Sequence, residues 1–206
     1  MTPPVLHVLA GVNGAGKTSF YEDVLARRTP GAEFVNADEL ERARWPDEIG
    51  AHSYQAGRLA ARRREALLQQ RQSFVTETVF SHASKLALLE RARRLGFVVV
   101  LHHIHVSTPE LAAARVRTRV SAGGHDVPLA KLAARHARTL GLLPRAALLA
   151  DRAYVFDNSR LDRSFTHVLT FEAGHLRRLG RHVPEWVKAT YGDALRAYLA
   201  DRRGPA

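Results

Sequence analysis

The chain has 206 residues, long enough for one well-buried core and short for two. Its 46% hydrophobic and 25% charged residues suit a soluble globular protein, and no apolar run approaches the roughly 20 residues that span a bilayer, so no membrane contact is expected. The absence of cysteine excludes a disulfide framework and a thiolate nucleophile and fits a cytoplasmic location, while a formal net charge of +11 favours an anionic partner without naming it.

The start, Met-Thr-Pro-Pro, has no basic stretch or small-residue cleavage site, so export by a signal peptide is not expected. Val5 to Ala10 is a nearly continuous apolar run and reads as a strand buried on both faces, the central strand of a parallel sheet. Directly after it comes Gly-Val-Asn-Gly-Ala-Gly-Lys-Thr, Gly11 to Thr18, which fits the pattern G-x-x-x-x-G-K-[ST]. Glycines at 11, 14 and 16 permit positive φ and close backbone approach, so successive N–H groups converge on a phosphate. Lys17 adds a point charge and Thr18 a hydroxyl for Mg²⁺. Ser19 to Arg28 has helical composition, and its N-terminal dipole adds to the anion site. The expected contacts to ATP are therefore Gly11, Asn13, Gly14, Ala15 and Gly16, followed by Lys17, Thr18 and Ser19.

Pro30-Gly31 breaks the chain, and Glu33 to Val35 reads as a second strand ending in Asn36-Ala37-Asp38. In doubly wound sheets ligands sit beyond the carboxyl ends of strands, so Asp38 is placed to meet Mg²⁺ or an acceptor hydroxyl. Asn36 or Asp38 would also cap a helix over Glu39 to Arg44. Ala51 to Gln70 has strong helix composition, with Leu59, Ala60, Leu67 and Leu68 as its apolar stripe, and Arg62-Arg63-Arg64 reads as a solvated face. Ser73 to Thr76 is the next strand and leads to Glu77-Thr78, another acidic strand end suited to substrate hydroxyls or to Mg²⁺ through water. Thr78, Ser81 and His82 serve equally as pocket or capping residues.

Ser84 to Leu95 forms a helix stopped by Gly96, and Phe97 to Leu101 is the clearest strand, extending through His105. His103 and His105 share a face, but two ligands without a third do not make a metal site. A helix runs from Pro109 to about Ala122, and Gly123 to Pro128 interrupts it as a hinge before a second long helix. Arg115 and Arg119 share one helix face, as do Arg135 and Arg138, with Lys131 nearby. Such a hinged pair would close over the phosphate loop as a lid around 115–140, neutralising γ-phosphoryl charge while excluding water. Ala153 to Phe156 and Phe165 to Phe171 are the fifth and sixth strands; Asp157-Asn158-Ser159 between them would meet adenine or ribose, or form a turn. Pro184 opens a final helix through Leu199, and Arg202 to Ala206 reads as disordered.

The ordered set of phosphate loop, Asn36-Ala37-Asp38-Glu39, Thr76-Glu77-Thr78, Gly123 to Pro128 and Asp157-Asn158-Ser159 resembles the zeta toxin family of small P-loop kinases over nearly the whole chain. The resemblance implies a three-layer α/β fold of the P-loop NTPase, kinase type: one domain over 1–206 with a mainly parallel sheet, flanking helices and a helical lid. It implies transfer of the ATP γ-phosphoryl group to a hydroxyl of a small molecule, which in the characterised toxins is UDP-N-acetylglucosamine. It further implies that Lys17 and Thr18 hold phosphates and Mg²⁺ and that Asp38 is the general base. Glu77, with Glu39 and Thr78 beside the base, would position acceptor or metal, and Arg119 would match the first lid arginine, next to Arg115. The second lid cation would be His125, Arg135 or Arg138. A separate antitoxin protein would be a partner. A polynucleotide 5′-hydroxyl kinase suits the +11 charge as well, and a non-catalytic ATP-binding module remains a different class of reading.

Overall fold

The computed structural model describes residues 2–120, 129–160 and 162–203, with backbone only at 119, 120, 129–132 and 203. Its strands are β1 (Val5–Ala10), β2 (Glu33–Val35), β3 (Phe74–Thr78), β4 (Val98–His105), β5 (Arg152–Asp157), β6 (Thr166–Glu172) and β7 (His175–Leu179). They form a 7-stranded sheet in the order β2-β3-β1-β4-β5-β6-β7. The first five strands run parallel, and the last two pairings, β5 with β6 and β6 with β7, are antiparallel, so that β6 alone runs against the rest. β7 was not expected from the sequence.

The helices are α1 (Lys17–Phe20), α2 (Ala37–Arg44), α3 (Ser53–Gln69), α4 (Ser84–Arg94), α5 (Pro109–Val120), α6 (Leu129–Leu149) and α7 (Glu185–Arg203). The helix expected over Ser19 to Arg28 starts earlier and widens: α1 continues as a π-helical stretch, Tyr21–Leu25, and a 3₁₀ turn, Ala26–Arg28. With i→i+5 winding, Phe20 and Leu25 both reach the core, at 2% and 3% exposure. The helix α7 carries Arg202 and the backbone of Arg203 as ordered helix; the rest of the expected disordered tail lies outside the described residues.

Helices cover both sheet faces, giving a three-layer α/β fold. Along β1 and β4, alternate residues separate two cores. Leu6, Val8, Val99 and Leu101 pack with Leu67 of α3, Leu89 of α4, Leu143 of α6 and Tyr191 of α7. Leu9 and Ile104 pack on the other side with Phe20 of α1 and Ala112 of α5. Burial on both faces explains why β1 and β4 read as near-continuous apolar runs instead of alternating ones. Three of the four histidines on these strands are buried and His7 is half-buried: His7 lies 3.1 Å from His102, His103 bonds the Tyr191 hydroxyl at 2.9 Å, and His105 stacks on Trp186. Burial drives the imidazoles towards neutrality, His7 to about 4 and His102 and His105 to about 3, with His103 well below its ordinary value.

The expected solvated arginine face divides. Arg62 and Arg63 are exposed, and Arg63 grips Glu33 of β2 through two hydrogen bonds, but Arg64 is buried. It lies on the inward stripe of α3 with Ala56, Ala60, Leu67 and Leu68, one turn beyond Ala60. Among the described residues no helix is long and apolar enough to cross a membrane.

Candidate active site

Strand register brings the chemistry to one edge. Leu9 of β1 lies opposite Glu77 of β3, and Val35 of β2 opposite Thr76. The loops after β1, β2 and β5 therefore open beside Glu77 at the carboxyl ends of the parallel strands, where the chain has wound to β2 on one side of β1 and to β4 on the other.

The loop between β1 and α1 is shaped by what surrounds it. Gly14 has φ +79, and a β-carbon there would lie 2.3 Å from the carbonyl oxygen of Ala112 on α5. Gly16 has φ +91, and its β-carbon would meet Nδ2 of Asn158 at 2.5 Å. That Asn158 amide donates to the Ala15 carbonyl at 2.8 Å, and its Oδ1 accepts from Phe165 N–H. Asn158 thus lines the cavity while its side-chain amide holds backbone groups on both sides of it. Gly11 and Ala15 are buried beneath the loop and do not line the cavity.

Glu77 organises the polar centre. Its Oε2 accepts from the Thr18 hydroxyl at 2.8 Å and from Asn36 Nδ2 at 3.2 Å, and its Oε1 lies 3.4 Å from Lys17 Nζ. Lys17 also donates to the Val12 carbonyl at 3.1 Å. With side chains only 6% and 12% exposed, Lys17 and Glu77 face each other largely out of water. Asn36 settles the capping question: its Oδ1 accepts from Asp38 N–H at 2.9 Å, so it is the cap of α2. The Asp38 carboxylate is left exposed, without a hydrogen bond or ion pair to the described residues.

Two cavities meet over this centre. One, ≈ 410 Å³, runs along the loop from Asn13, Gly14 and Gly16 to Ser19, Arg115 and Asn158. The other, ≈ 390 Å³, lies under α3, α4 and α6, with Thr78, Ser81, His82 and Arg135 in its wall. Asn13, Lys17, Asp38 and Glu77 line both. Thr78 and His82 cap as well as line: Thr78 Oγ1 accepts from Phe80 N–H, and His82 Nδ1 accepts from Ser84 N–H. Glu39 lines neither cavity; burial raises its carboxyl above the ordinary value, against the pull of Arg42, and Glu77, Glu22 and Asp38 add to the rise. Arg138 is exposed and lines neither. The Arg119 side chain and His125 lie outside the described residues. Arg64 and Lys85, which sequence reasoning did not select, line the second cavity.

The donor set suits Mg²⁺. A threonine hydroxyl and a carboxylate 2.8 Å apart beside an anion loop offer the hard oxygens, few in number, that this ion combines with phosphates and water. Among the described residues no cluster of histidine, cysteine, aspartate or glutamate large enough to hold an ion alone occurs.

A mainly parallel α/β sheet with this loop after its first strand and carboxylates at the ends of β2 and β3 defines a P-loop kinase-like protein. The chain belongs to the AAA_33 family, the AAA domain, whose pattern matches residues 6–142. An uncharacterized protein of Haemophilus influenzae is 28% identical over 120 residues, 57% of this chain and 81% of that protein. Among solved structures, the AvrRxo1-ORF1:-ORF2 complex with ATP superposes with a TM-score of 0.67 at 20% identity, over 84% of this chain. The chain spans about 60% of that partner's length. The PezAT chromosomal toxin-antitoxin system of Streptococcus pneumoniae gives a TM-score of 0.61 at 15% identity, covering 97% of this chain and 88% of that one. The resemblance to zeta toxin-like small P-loop kinases holds at the level of the fold.

Proposed function

We propose that the protein is an ATP-dependent phosphotransferase that passes the γ-phosphoryl group to a hydroxyl of a small molecule. The observation that carries this reading is the pair of cavities joined at Asn13, Lys17, Asp38 and Glu77: a donor side along the phosphate loop and an acceptor side under α3 and α4. A simple ATP-binding module needs only the first.

In this reading the N–H groups of Gly14 to Thr18 and the Lys17 ammonium hold the β- and γ-phosphates. Thr18 and Glu77, with Asp38 nearby, would hold Mg²⁺, which neutralises charge on the phosphoryl oxygens. Lys17 then exchanges its contact with Glu77 for one with phosphate. The free Asp38 carboxylate, at the junction, takes the proton of the acceptor hydroxyl as the phosphoryl group arrives. Arg115 on the donor side and Arg135 on the acceptor side hold charge from α5 and α6, and most of the rate enhancement comes from alignment and such electrostatic support. Residues 1–206 act as one kinase domain, with the lid around 115–140 and with Arg119 and His125 completing it. A UDP-amino sugar such as UDP-N-acetylglucosamine is the acceptor the resemblance favours, and an antitoxin protein its regulator.

The test is incubation with γ-labelled ATP and a panel of UDP-sugars, sugars, nucleosides and oligonucleotides, with mass analysis of products. Label on a small-molecule hydroxyl is expected. Label on oligonucleotide 5′ ends would replace the reading with a polynucleotide kinase, and ATP binding without transfer to any acceptor would sink it.

A further inference from the structure

A cavity of ≈ 580 Å³, larger than either one at the candidate active site, opens at the opposite end of the sheet. Its wall includes Val5, Glu33 and Ser73, where β1, β2 and β3 begin, and the turn from Arg28 to Ala32 that leads into β2. His7, two residues along β1, lines it as well. The Nδ1 atom of His7 lies 3.1 Å from Nε2 of His102, so one of these two nitrogens carries the proton between them. His102 Nδ1 is buried and meets no partner. Were the shared proton on His7, a neutral His102 would carry its own on Nδ1, as a buried N–H with nothing to accept it, an arrangement folded proteins rarely keep. With the shared proton on His102 Nε2, the unpaired Nδ1 is a bare acceptor and His7 carries its own proton on Nε2. Burial keeps both rings neutral, lowering His7 to about 4 and His102 to about 3. His7 Nε2 has no partner among the described residues and is not one of their buried polar atoms, so solvent reaches it where the ring lines the cavity.

Other donors in the same wall are unspent. The exposed Arg28 guanidinium and the Gln72 side-chain amide make no hydrogen bond or ion pair with the described residues. The Ser73 hydroxyl accepts from Val5 N–H at 2.9 Å and has its own proton left to give. Glu33, the carboxylate of this wall, already takes two hydrogen bonds from Arg63, at 2.7 and 2.5 Å. The cavity therefore offers protons and positive charge with little to receive them, beside an apolar side made by Val5, Pro30 and Ala32. A guanidinium binds carboxylate and phosphate oxygens through paired N–H donors, and a few converging polar groups on an apolar wall are the usual make-up of a small-molecule site. We propose that this cavity is a second ligand site, separate from phosphoryl transfer, for a small organic oxyanion whose oxygens take the His7 N–H and the Arg28 guanidinium and whose apolar body lies on Val5, Pro30 and Ala32.

Carboxylates and phosphate esters share this chemistry, and the experiment separates them. With Mg²⁺ and AMP-PNP saturating the phosphate loop, binding of phenyl phosphate, benzoate and benzyl alcohol is followed by calorimetry and by the imidazole nitrogen resonances of His7. At least one of the two anions is expected to bind about tenfold or more tightly than benzyl alcohol and to shift the His7 Nε2 resonance, and the tighter anion names the class. Arg28→Met should weaken that binding about tenfold or more while AMP-PNP affinity stays within about twofold. The variant should melt with the wild type when no probe is present, because the side chain it replaces is exposed and unpaired. Nitrogen spectra of the probe-free wild type should place the His7 proton on Nε2; a proton on Nδ1 would take the donor out of the cavity and overturn the proposal. It is also overturned if neither anion binds, if benzyl alcohol binds equally, or if Arg28→Met binds unchanged. Probe binding that vanishes once AMP-PNP is present would assign the anion to the phosphate loop, and shifts at Thr78 and Ser81 in place of His7 would assign it to the acceptor-side cavity; either result sinks the second site.

Discussion

Asn158, just beyond β5, donates its side-chain amide to the Ala15 carbonyl at 2.8 Å and so ties the fifth strand of the sheet to the phosphate loop that follows the first. The same amide nitrogen fills the space a side chain on Gly16 would need. Asn158→Ala should leave a buried carbonyl unpaired, at a cost of about 1–3 kcal/mol, and release the loop. We expect nucleotide affinity to fall roughly tenfold, read by calorimetry with Mg–AMP-PNP. Unchanged affinity would mean the loop keeps its shape without this tie.

Asp38 points a free carboxylate at the junction of the two cavities. Asp38→Asn preserves its size and the backbone cap from Asn36, so nucleotide binding should stay close to that of the parent. Phosphoryl transfer should drop by about a hundredfold or more, on the scale of general-base loss. Wild-type single-turnover rates in this variant would remove Asp38 from the chemistry.

Glu77 is the counterion of buried Lys17 at 3.4 Å. In Glu77→Gln the amide oxygen can still accept from Thr18, but the ammonium loses its counterion and keeps only the Val12 carbonyl. The nucleotide-free protein should lose about 3 kcal/mol of stability, the lower end for breaking a buried pair. Saturating Mg–ATP should restore much of it, because phosphate takes over from the carboxylate. Equal losses of melting temperature with and without nucleotide would show that Lys17 does not change partners.

Acid should destabilise the core through His102, His103 and His105, whose imidazoles burial holds below their ordinary values, to about 3 for His102 and His105. Once unfolded they titrate near 6.5, so between roughly pH 6.5 and pH 3 the unfolded chain binds more protons. Stability is therefore full above about pH 6.5 and falls as the pH drops, by up to about 1.4 kcal/mol per pH unit for each such histidine. Urea titrations at pH 7, 6 and 5 measure this. Replacing His102 with Phe should flatten the slope, and an unaltered slope would exclude it as a contributor.

Much of the fold was legible because its signals are local: the apolar runs of β1 and β4, the breaks at Pro30-Gly31 and Gly96, and the glycine spacing of the loop. β7 was not, since His-Leu-Arg-Arg-Leu has only Leu176 buried and is made a strand by pairing with β6, through a turn at Ala173 and Gly174 with φ 48 and 78. At the site, the sequence placed Lys17, Thr18, Asp38 and Glu77 at strand ends but left Asn36 and Asp38 as rival caps, a choice that depends on where α2 begins. Arg64 was hidden inside a run of arginines. Its spacing of four from Ala60 and three from Leu67 was the available sign that it faces inward, while its neighbours Arg62 and Arg63 do not.

The sheet ends in two open edges, and each is blunted differently. β2 offers only Glu33–Val35, too short to template another chain, and Glu33 is held by Arg63. β7 is longer, but its Arg177 and Arg178 are exposed, so a second copy approaching edge to edge meets like charge before any backbone hydrogen bond forms. Part of the +11 excess thus keeps an unclosed sheet from stacking into aggregates, a task separate from anything the basic residues do for a ligand.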